Sequence, residues 1–335
     1  MRKSYSPAHF FLLALTLGVA ASCTWDQSRV DWGDQIVMPE IPPGFSMPPI
    51  PDDNRLTPYR IELGRRLFFD PILSRDSTIS CGSCHHADKK MTDGLSKSIG
   101  IDGQVGIRNA ISLLNVAYQP YLFWDGGVPT LETQVLAPIH DPKEMDFDIN
   151  LVVERLKRHP EYPALFYQAY KAGPSPYTVT RAIACFERSL YSSTTRYDRY
   201  VLFGDTTALT ASEKRGMELF FSERAECFHC HSGFLFTDFS FRNNGLYEKY
   251  ADSGRARITL NPDDVGKFKV PSLRNLAYTA PYMHDGSLAT LRDVIEHYNS
   301  GGKNHPNKSI FVRQLALSEQ EKEDLINFLL SLSDP

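Results

Sequence analysis

The sequence predicts a mainly α-helical protein of two related domains, and three features of its 335 residues lead to this prediction. Strand patterns of period two are almost absent, whereas helix starts with capping residues recur along the chain. A phrase is repeated, because Gly64-Arg-Arg-Leu-Phe-Phe69 resembles Gly216-Met-Glu-Leu-Phe-Phe221. Each copy leads into a Cys-x-x-Cys-His motif, so the repeat indicates two domains with a boundary between residues 200 and 210.

The two pentapeptide motifs carry the strongest chemical information. They consist of Cys81, Cys84 and His85 in the first half and Cys227, Cys230 and His231 in the second. Cys-x-x-Cys-His is the attachment signature of c-type haem: two thiols bond to the vinyl groups, and the next residue gives its imidazole to iron. A zinc site would require both motifs to converge on one metal, and a thiol redox motif does not require the histidine. The sequence therefore predicts two covalently bound haem c groups.

The N-terminus and the composition indicate an exported protein with an ordered core. Residues 1–22 have the layout of a secretory signal, with Arg2 and Lys3 before a short apolar stretch and small residues before Cys23. We expect lipidation of Cys23, as in bacterial lipoproteins, with simple leader cleavage beside an incidental cysteine as the alternative. The predicted location is the periplasm or cell envelope. A net charge of −4 offers no basic face for nucleic acid.

The remaining elements follow in order. Residues 23–53 are rich in proline and are predicted to form an extended tether, followed by domains at 54–205 and 206–335. Helices are expected to begin at Thr57-Pro58 and at the capping box Thr210 to Glu213, with others at Asn150 to Arg158, Tyr177 to Tyr191, Thr290 to Tyr298 and Ser318 to Ser331. Residues 86–129 and 232–286 are expected to be loop-like. Cys185 lies in an apolar helical stretch, which predicts a buried, inert thiol rather than a nucleophile.

With these motifs in place, the sequence resembles the bacterial di-haem cytochrome c peroxidase and MauG superfamily from about residue 55 to the C-terminus. The resemblance rests on Gly106-Ile-Arg-Asn109, Phe123-Trp124-Asp125-Gly126, Val270-Pro271-Ser-Leu-Arg-Asn275 and Pro281-Tyr-Met-His-Asp-Gly286, in order around the two motifs. It implies two cytochrome c-like helical domains, each with one covalently bound c-type haem. The first haem would react with peroxide and the second would transfer electrons.

The resemblance also assigns roles by position. Trp124 matches the tryptophan between the haems, Gln134 and Glu144 match polar residues of the peroxide pocket, and Pro138 matches the proline that crowds its distal side. Positions that bind one calcium ion at the domain junction match Asn109, Thr279 and Pro281. Taken singly, such residues have plainer interpretations as a core aromatic, a solvated carboxylate or a turn residue.

The chain departs from the peroxidases of the family at the first haem. In those enzymes a distal histidine in the loop before the Arg-Asn pair blocks the haem until it is reduced. Here the loop 97–109 contains no histidine, and the matching position is Ile101. We therefore expect a first haem held by His85 alone, with its sixth position open to peroxide at rest. His86 and His140 are the other candidates for that position.

A second departure concerns the second haem, where the peroxidases use methionine as the sixth ligand. The matching position is Tyr298, which resembles the His/Tyr ligation of the MauG branch. A phenolate is a hard, anionic donor that favours oxidised iron. Met283 and His297 are the alternative ligands.

The predicted function is that of an exported, MauG-like di-haem oxidoreductase. It would activate hydrogen peroxide at the open His-ligated haem and share oxidising equivalents with the His/Tyr-ligated haem, Glu144 transferring the proton and Gln134 orienting the peroxide. Its macromolecular partner would be an electron-donor redox protein or a protein substrate to be oxidised. The alternatives are a cytochrome c peroxidase that reduces peroxide to water and a non-catalytic di-haem electron-transfer or sensor cytochrome.

Overall fold

Helices dominate the computed structural model, which describes residues 35–37, 41 and 43–335. In this part of the chain the α-helices are α1 Pro58–Phe69, α2 Leu131–Gln134, α3 Leu136–His140, α4 Ile149–Arg158, α5 Tyr162–Tyr170, α6 Pro176–Arg188, α7 Arg196–Leu202, α8 Ala211–Phe220, α9 Ala256–Thr259, α10 Leu291–Ser300 and α11 Glu319–Ser331. The strands β1 Phe241–Arg242 and β2 Phe268–Lys269 pair antiparallel. The predicted mainly α-helical class is thus confirmed.

Capping residues visible in the sequence begin the main helices. The Thr57 hydroxyl accepts the Arg60 N–H at 3.2 Å, with Pro58 as the first residue of α1. At α8 the Thr210 hydroxyl accepts the Glu213 N–H while the Glu213 carboxylate accepts the Thr210 N–H. Such caps satisfy N–H groups that the first helical turn leaves unpaired. The four other predicted helices are present as α4, α6, α10 and α11, with ends displaced by a few residues.

Five α-helices of the described residues were not predicted: α2, α3 and α9, which have only four or five residues, and the longer α5 and α7. Helix α5 has Glu161 as its N-cap without a side-chain hydrogen bond and is apolar on most sides, so no amphipathic stripe marks it. Helix α7 has a capping box at Thr195 and Asp198 but only seven residues, too few for a clear period. The segments 86–129 and 232–286 are irregular, as predicted, apart from short turns, the two strands and α9.

The repeated phrase marks two close helix crossings. Helix α1 packs on α6 and helix α8 packs on α11. At each crossing a glycine lies against the backbone of the partner helix: a Cβ on Gly64 would overlap the Ala182 carbonyl oxygen, and a Cβ on Gly216 would overlap that of Asp324. The aromatic core follows the same repeat, with Phe68 against Phe186 and Phe220 against Phe328. The glycine of each phrase therefore sets the distance between two helices.

The contacts between Cα atoms group Gly33–Pro335 into one compact unit. The division into domains at 54–205 and 206–335 therefore stays a prediction. The predicted signal at 1–22 and Cys23 lie outside the described residues, as does part of the tether at 23–53. Among the residues that the structure describes, no helix is long and apolar enough to cross a membrane. Cys185 is fully buried, as predicted.

Replacing Gly64 or Gly216 by alanine should destabilise the protein. Alanine in a helix is normally favoured over glycine by about 1 kcal/mol, but the overlap with a backbone carbonyl costs about 1–3 kcal/mol or more and reverses the sign. Thermal unfolding of the haem-loaded protein, followed by circular dichroism, checks this. Gly173→Ala is the matched control, because nothing lies within 4 Å of a Cβ there. A G64A variant as stable as G173A would contradict the close crossing.

Candidate functional site

Each Cys-x-x-Cys-His motif folds into one helical turn, which defines an N-site (Cys81, Cys84 and His85) and a C-site (Cys227, Cys230 and His231). The His85 N–H donates to the Cys81 carbonyl at 3.0 Å, and the His231 N–H donates to the Cys227 carbonyl at 2.9 Å. Residues three and four apart share one face of a helical turn, so both thiols and the imidazole leave the backbone on the same side. Two thioether bonds and one axial ligand require this arrangement.

A second hydrogen bond orients each histidine ring. His85 Nδ1 lies 2.9 Å from the Met91 carbonyl oxygen, and His231 Nδ1 lies 2.9 Å from that of Phe236. Both acceptor residues have a left-handed backbone conformation, with φ of 66° at Met91 and 53° at Phe236. Because a carbonyl only accepts, Nδ1 carries the proton and Nε2 keeps its lone pair for a metal. Burial lowers the pKa of both imidazoles, which favours this neutral form.

The C-site opens into a large cavity of about 2100 Å³, including its mouth. Its walls are mainly apolar and include both thiols and the imidazole of the C-site, together with Tyr298, Met283 and Trp124. A porphyrin needs an apolar slot of this kind with polar groups at a few points. The residues present therefore fit a haem at the C-site.

Asn244 hydrogen-bonds to all three candidate ligands of the second iron. Tyr298 on α10 lines the cavity. Burial raises the pKa of its phenol to about 12, and a hydrogen bond with the Asn244 side chain acts in the opposite direction and lowers this pKa. Met283 also lines the cavity, and its sulfur accepts from Asn244 Nδ2 at 3.3 Å. His297 Nε2 instead bonds to the Asn244 carbonyl at 3.0 Å and does not line the cavity. This geometry does not favour His297 as the sixth ligand of the second iron. Tyr298 stays the predicted ligand, with Met283 as the alternative.

The N-site repeats the local geometry beside the core of α1 and α6. Cys81 packs on the cluster that contains Phe68, and the rings of Phe68 and His85 lie 6.2 Å apart. The Ser98 side chain hydrogen-bonds to Cys84. Since the turn and the histidine bond are the same as at the C-site, the N-site fits the same group.

The predicted peroxide-pocket residues lie in and just after the short helices α2 and α3. Gln134 ends α2 and Pro138 lies one turn later in α3. The Pro138 carbonyl accepts the Met145 N–H at 3.1 Å, which folds the segment with Glu144 back onto α3. The Glu144 carboxylate is near enough to Cys81 and Cys84 to raise the pKa of both thiols.

The Glu144 carboxyl group is held near its ionisation point at neutral pH. Its side chain is exposed by surface area, yet protein atoms surround it on most sides. This desolvation, together with the Asp141 carboxylate, raises the pKa of Glu144 to about 7. A group with such a pKa exchanges protons readily in both directions near neutrality.

The loop 97–109 is fastened to the turn that carries Glu144. Ile101 is buried, and its N–H donates to the Glu144 carbonyl at 2.9 Å. Gly100 lies against the backbone of Lys143 and Glu144 so closely that a Cβ would overlap it. Arg75 adds ion pairs to Asp102 of the loop and to Asp146 beyond Glu144.

The two alternative histidines have other partners. His86 Nε2 lies 2.9 Å from the Ser83 carbonyl, and His140 Nε2 accepts the Ile149 N–H at 3.2 Å. Each bond engages Nε2, one of the two ring nitrogens through which a histidine can bind iron, so the geometry favours neither as a sixth ligand.

Trp124 and two of the three residues predicted to bind calcium line the C-site cavity. The buried Trp124 donates its indole N–H to the Asn109 carbonyl at 2.9 Å, and the Asn109 side chain donates to Leu95 at 2.8 Å. Asn109 and Thr279 both line the cavity, whereas Pro281 follows close by in the chain. None of the three carries a carboxylate, the ligand that calcium sites use most. Calcium at this place stays a prediction.

Two buried charges beside Trp124 were not predicted. Asp125 is fully buried and binds Arg108 at 2.7 Å and Arg257 at 2.5 Å. Lys269 is 3% exposed and lines the C-site cavity. The one sequence feature that could have predicted the burial of Lys269 is its position between the apolar residues Phe268 and Val270. This feature is a weak predictor, because a lysine in an extended segment is usually solvated.

Comparisons with known proteins agree with this architecture. The family model of di-haem cytochrome c peroxidase matches residues 58–207. The methylamine utilization protein MauG of Methylorubrum extorquens is 39% identical over 95% of this chain and 89% of its own length. The cytochrome-c peroxidase IdrP1 of Denitromonas iodatirespirans is 36% identical over 98% of this chain and 95% of its own length.

A solved structure extends the likeness to three dimensions. The crystal structure of a MauG-like protein associated with microbial copper homeostasis matches with a TM-score of 0.84 and 37% identity, covering 88% of this chain and 95% of that one. A mainly helical chain with two such motif sites has the architecture of a c-type haem oxidoreductase. The chain belongs to the di-haem cytochrome c peroxidase and MauG family.

Substitution of the candidate ligands should separate them. If Tyr298 binds the second iron, Tyr298→Phe changes the low-spin electronic spectrum of the oxidised protein, whereas Met283→Leu leaves it unchanged. His297→Gln serves as the control on the same helix, since His297 does not line the cavity. A spectrum altered by M283L and unaffected by Y298F would assign the ligand to Met283.

Proposed function

We propose that this protein is a MauG-like di-haem oxidoreductase that reacts with hydrogen peroxide without prior reduction. A c-type haem at the N-site would supply the iron that activates peroxide, and one at the C-site would accept part of the oxidising equivalents. Relatives of the chain include both MauG proteins and cytochrome c peroxidases, so the choice between these activities rests on the residues of this chain.

The attachment of loop 97–109 is the observation that carries the proposal. The position that matches the blocking histidine of the peroxidases is the buried Ile101, which has no metal-binding atom. The hydrogen bond from Ile101 and the ion pairs of Arg75 tie this loop to the Glu144 turn. No histidine would need to leave the N-site before peroxide enters.

The residues of the pocket divide the work on peroxide. Glu144 takes a proton from one peroxide oxygen and returns it to the leaving oxygen, a transfer that a pKa of about 7 allows in both directions. The Gln134 amide makes no side-chain hydrogen bond to other described residues, which leaves both its donor and acceptor for orienting peroxide. The rigid ring of Pro138, one turn further along, narrows the space beside it.

At the C-site, Trp124 and Tyr298 would serve the second haem. Trp124 is held rigidly by its bond to Asn109 and lines the C-site cavity, so its indole is placed to relay an electron. Tyr298 as a phenolate ligand would favour the oxidised form. The equivalents would be consumed by oxidation of a protein substrate or by a small electron-donor protein.

Export and further ligands complete the proposal. Proteins of the family are periplasmic, and the leader-like residues 1–22 support the same location here, with a lipid anchor on Cys23. One calcium ion would be bound near Asn109, Thr279 and Pro281, through carbonyl and amide oxygens.

Mixing the fully oxidised protein with hydrogen peroxide in a stopped-flow spectrometer tests the function. We expect rapid spectral change at both haems without prior reduction, and Glu144→Gln should slow it by about a hundredfold or more because glutamine cannot transfer the proton. Reaction only after half-reduction would support the cytochrome c peroxidase alternative and overturn the proposal. An unchanged rate in E144Q would remove Glu144 from the mechanism.

The pH profile supplies a control for the same step. Glu144 must be ionised to take the first proton, so the rate should fall as pH drops through about 7. Asp141→Asn removes the neighbouring charge that raises this pKa and should move the midpoint to lower pH while leaving the maximal rate. A midpoint that does not move in D141N would contradict the electrostatic coupling.

A further inference from the structure

A buried lysine in the wall of the C-site cavity has one ammonium N–H without a hydrogen-bond acceptor. Lys269 is 3% exposed and belongs to β2. Its ammonium donates to the Tyr121 carbonyl at 2.9 Å and to the Gln119 side-chain oxygen. An ammonium has three N–H groups, and both acceptors are neutral. One donor and the whole positive charge therefore remain without an anionic partner.

The carboxylates around Lys269 are already engaged elsewhere. Among the described residues, Lys269 makes no ion pair, and the carboxylate that acts on it most, Asp125, is held by Arg108 and Arg257. Burial without a counter-ion accordingly lowers the pKa of Lys269 to about 7. A buried charge is costly unless it is paired, so this position is suited to an acidic ligand in the cavity.

The other cations along the same cavity do have acidic partners. Arg274 binds Asp198 at 2.7 Å, and Arg313 binds Glu226 at 2.6 Å. Arg242 lies 3.5 Å from Asp238. Lys269 is thus distinguished from these three by its unpaired charge.

The acid that the C-site motif would bring into this cavity is a haem propionate. The thiols of Cys227 and Cys230 fix the vinyl edge, and in haem the propionates lie on the edge remote from the vinyl groups. Lys269 lines the same cavity as both thiols, but its ammonium is bonded to Gln119 and Tyr121, which belong to the segment before Trp124 and not to the C-site motif. We propose that Lys269 binds a propionate of the haem at the C-site and that its charge raises the reduction potential of that haem.

This role rests on the proposed occupancy of the C-site and connects it to Trp124. The backbone N–H of Lys269 donates to the Trp124 backbone carbonyl at 2.7 Å, and both residues line the cavity. A positive charge beside the porphyrin favours the reduced iron, which carries one positive charge less. Lys269 would thereby offset the preference of a Tyr298 phenolate for oxidised iron and keep the two haems close enough in potential to share equivalents.

Redox titration of the haem-loaded protein with Lys269→Met tests the proposal. Loss of the charge should lower the ratio of reduced to oxidised C-site haem at a fixed potential by about tenfold, a shift of about 59 mV for a one-electron couple. The resonance Raman bending band of the propionates should move as well, because a hydrogen-bond donor has been removed. A merely structural lysine would alter stability and leave both readouts in place.

Two variants serve as controls. Lys269→Arg keeps the charge and should retain the potential, while its propionate band moves because a guanidinium replaces the ammonium. Lys267→Met makes the same chemical change two residues away, where the lysine is paired with Asp264, and should alter neither readout. If the K269M protein does not accumulate, the K269R protein alone tests the proposal. A propionate band of K269R at the wild-type position would overturn it.

The outcome separates this inference from the proposed function. A protein with two haems per chain and an unchanged K269M potential and propionate band overturns only the role of Lys269. A protein with a single haem per chain, measured from its absorbance after alkaline pyridine treatment, would overturn the proposed function itself.

Discussion

The architecture of the molecule depends on one constraint at each Cys-x-x-Cys-His motif. The two thiols and the imidazole of the motif must leave the backbone on the same side and must be held in that orientation. The helical turns at the N-site and C-site meet this constraint through the bond from each histidine N–H to the first cysteine carbonyl. A second bond from each Nδ1 then fixes the imidazole plane. Cys81 packs on the core beside the crossing at Gly64, and Cys227 packs on the core beside the crossing at Gly216, so each motif lies against a closely packed helix pair.

The N-site and the C-site share the helical turn and the histidine hydrogen bonds. They differ in the side chains around the turn, and these side chains give the two sites different chemistry. Near the N-site lies a carboxyl group, Glu144, whose pKa is raised to about 7, on a turn fastened by loop 97–109. Around the C-site lie a phenol, an indole and the unpaired ammonium of Lys269. An acid that exchanges protons suits bond cleavage in peroxide, whereas a phenol and a cation adjust how easily iron is oxidised.

Much of the fold was predictable because its determinants are local. Capping boxes such as Thr210 with Glu213 fix helix starts over four residues, and the repeated phrase predicted two similar helices, each followed by a motif. The close approach of Gly64 to Ala182 was hidden, since it depends on a partner helix more than a hundred residues away in the chain. The same holds for Asn244 and Lys269, whose roles arise from neighbours that only folding brings together.

Electron paramagnetic resonance of the oxidised protein, as isolated and before any reductant or peroxide is added, tests the central claim most directly. With Ile101 in place of a blocking histidine, and His86 and His140 bonded elsewhere, the account predicts a high-spin ferric signal from the haem at His85 beside a low-spin signal from the second haem. Two low-spin signals and no high-spin component would show that both irons are six-coordinate at rest and would contradict it.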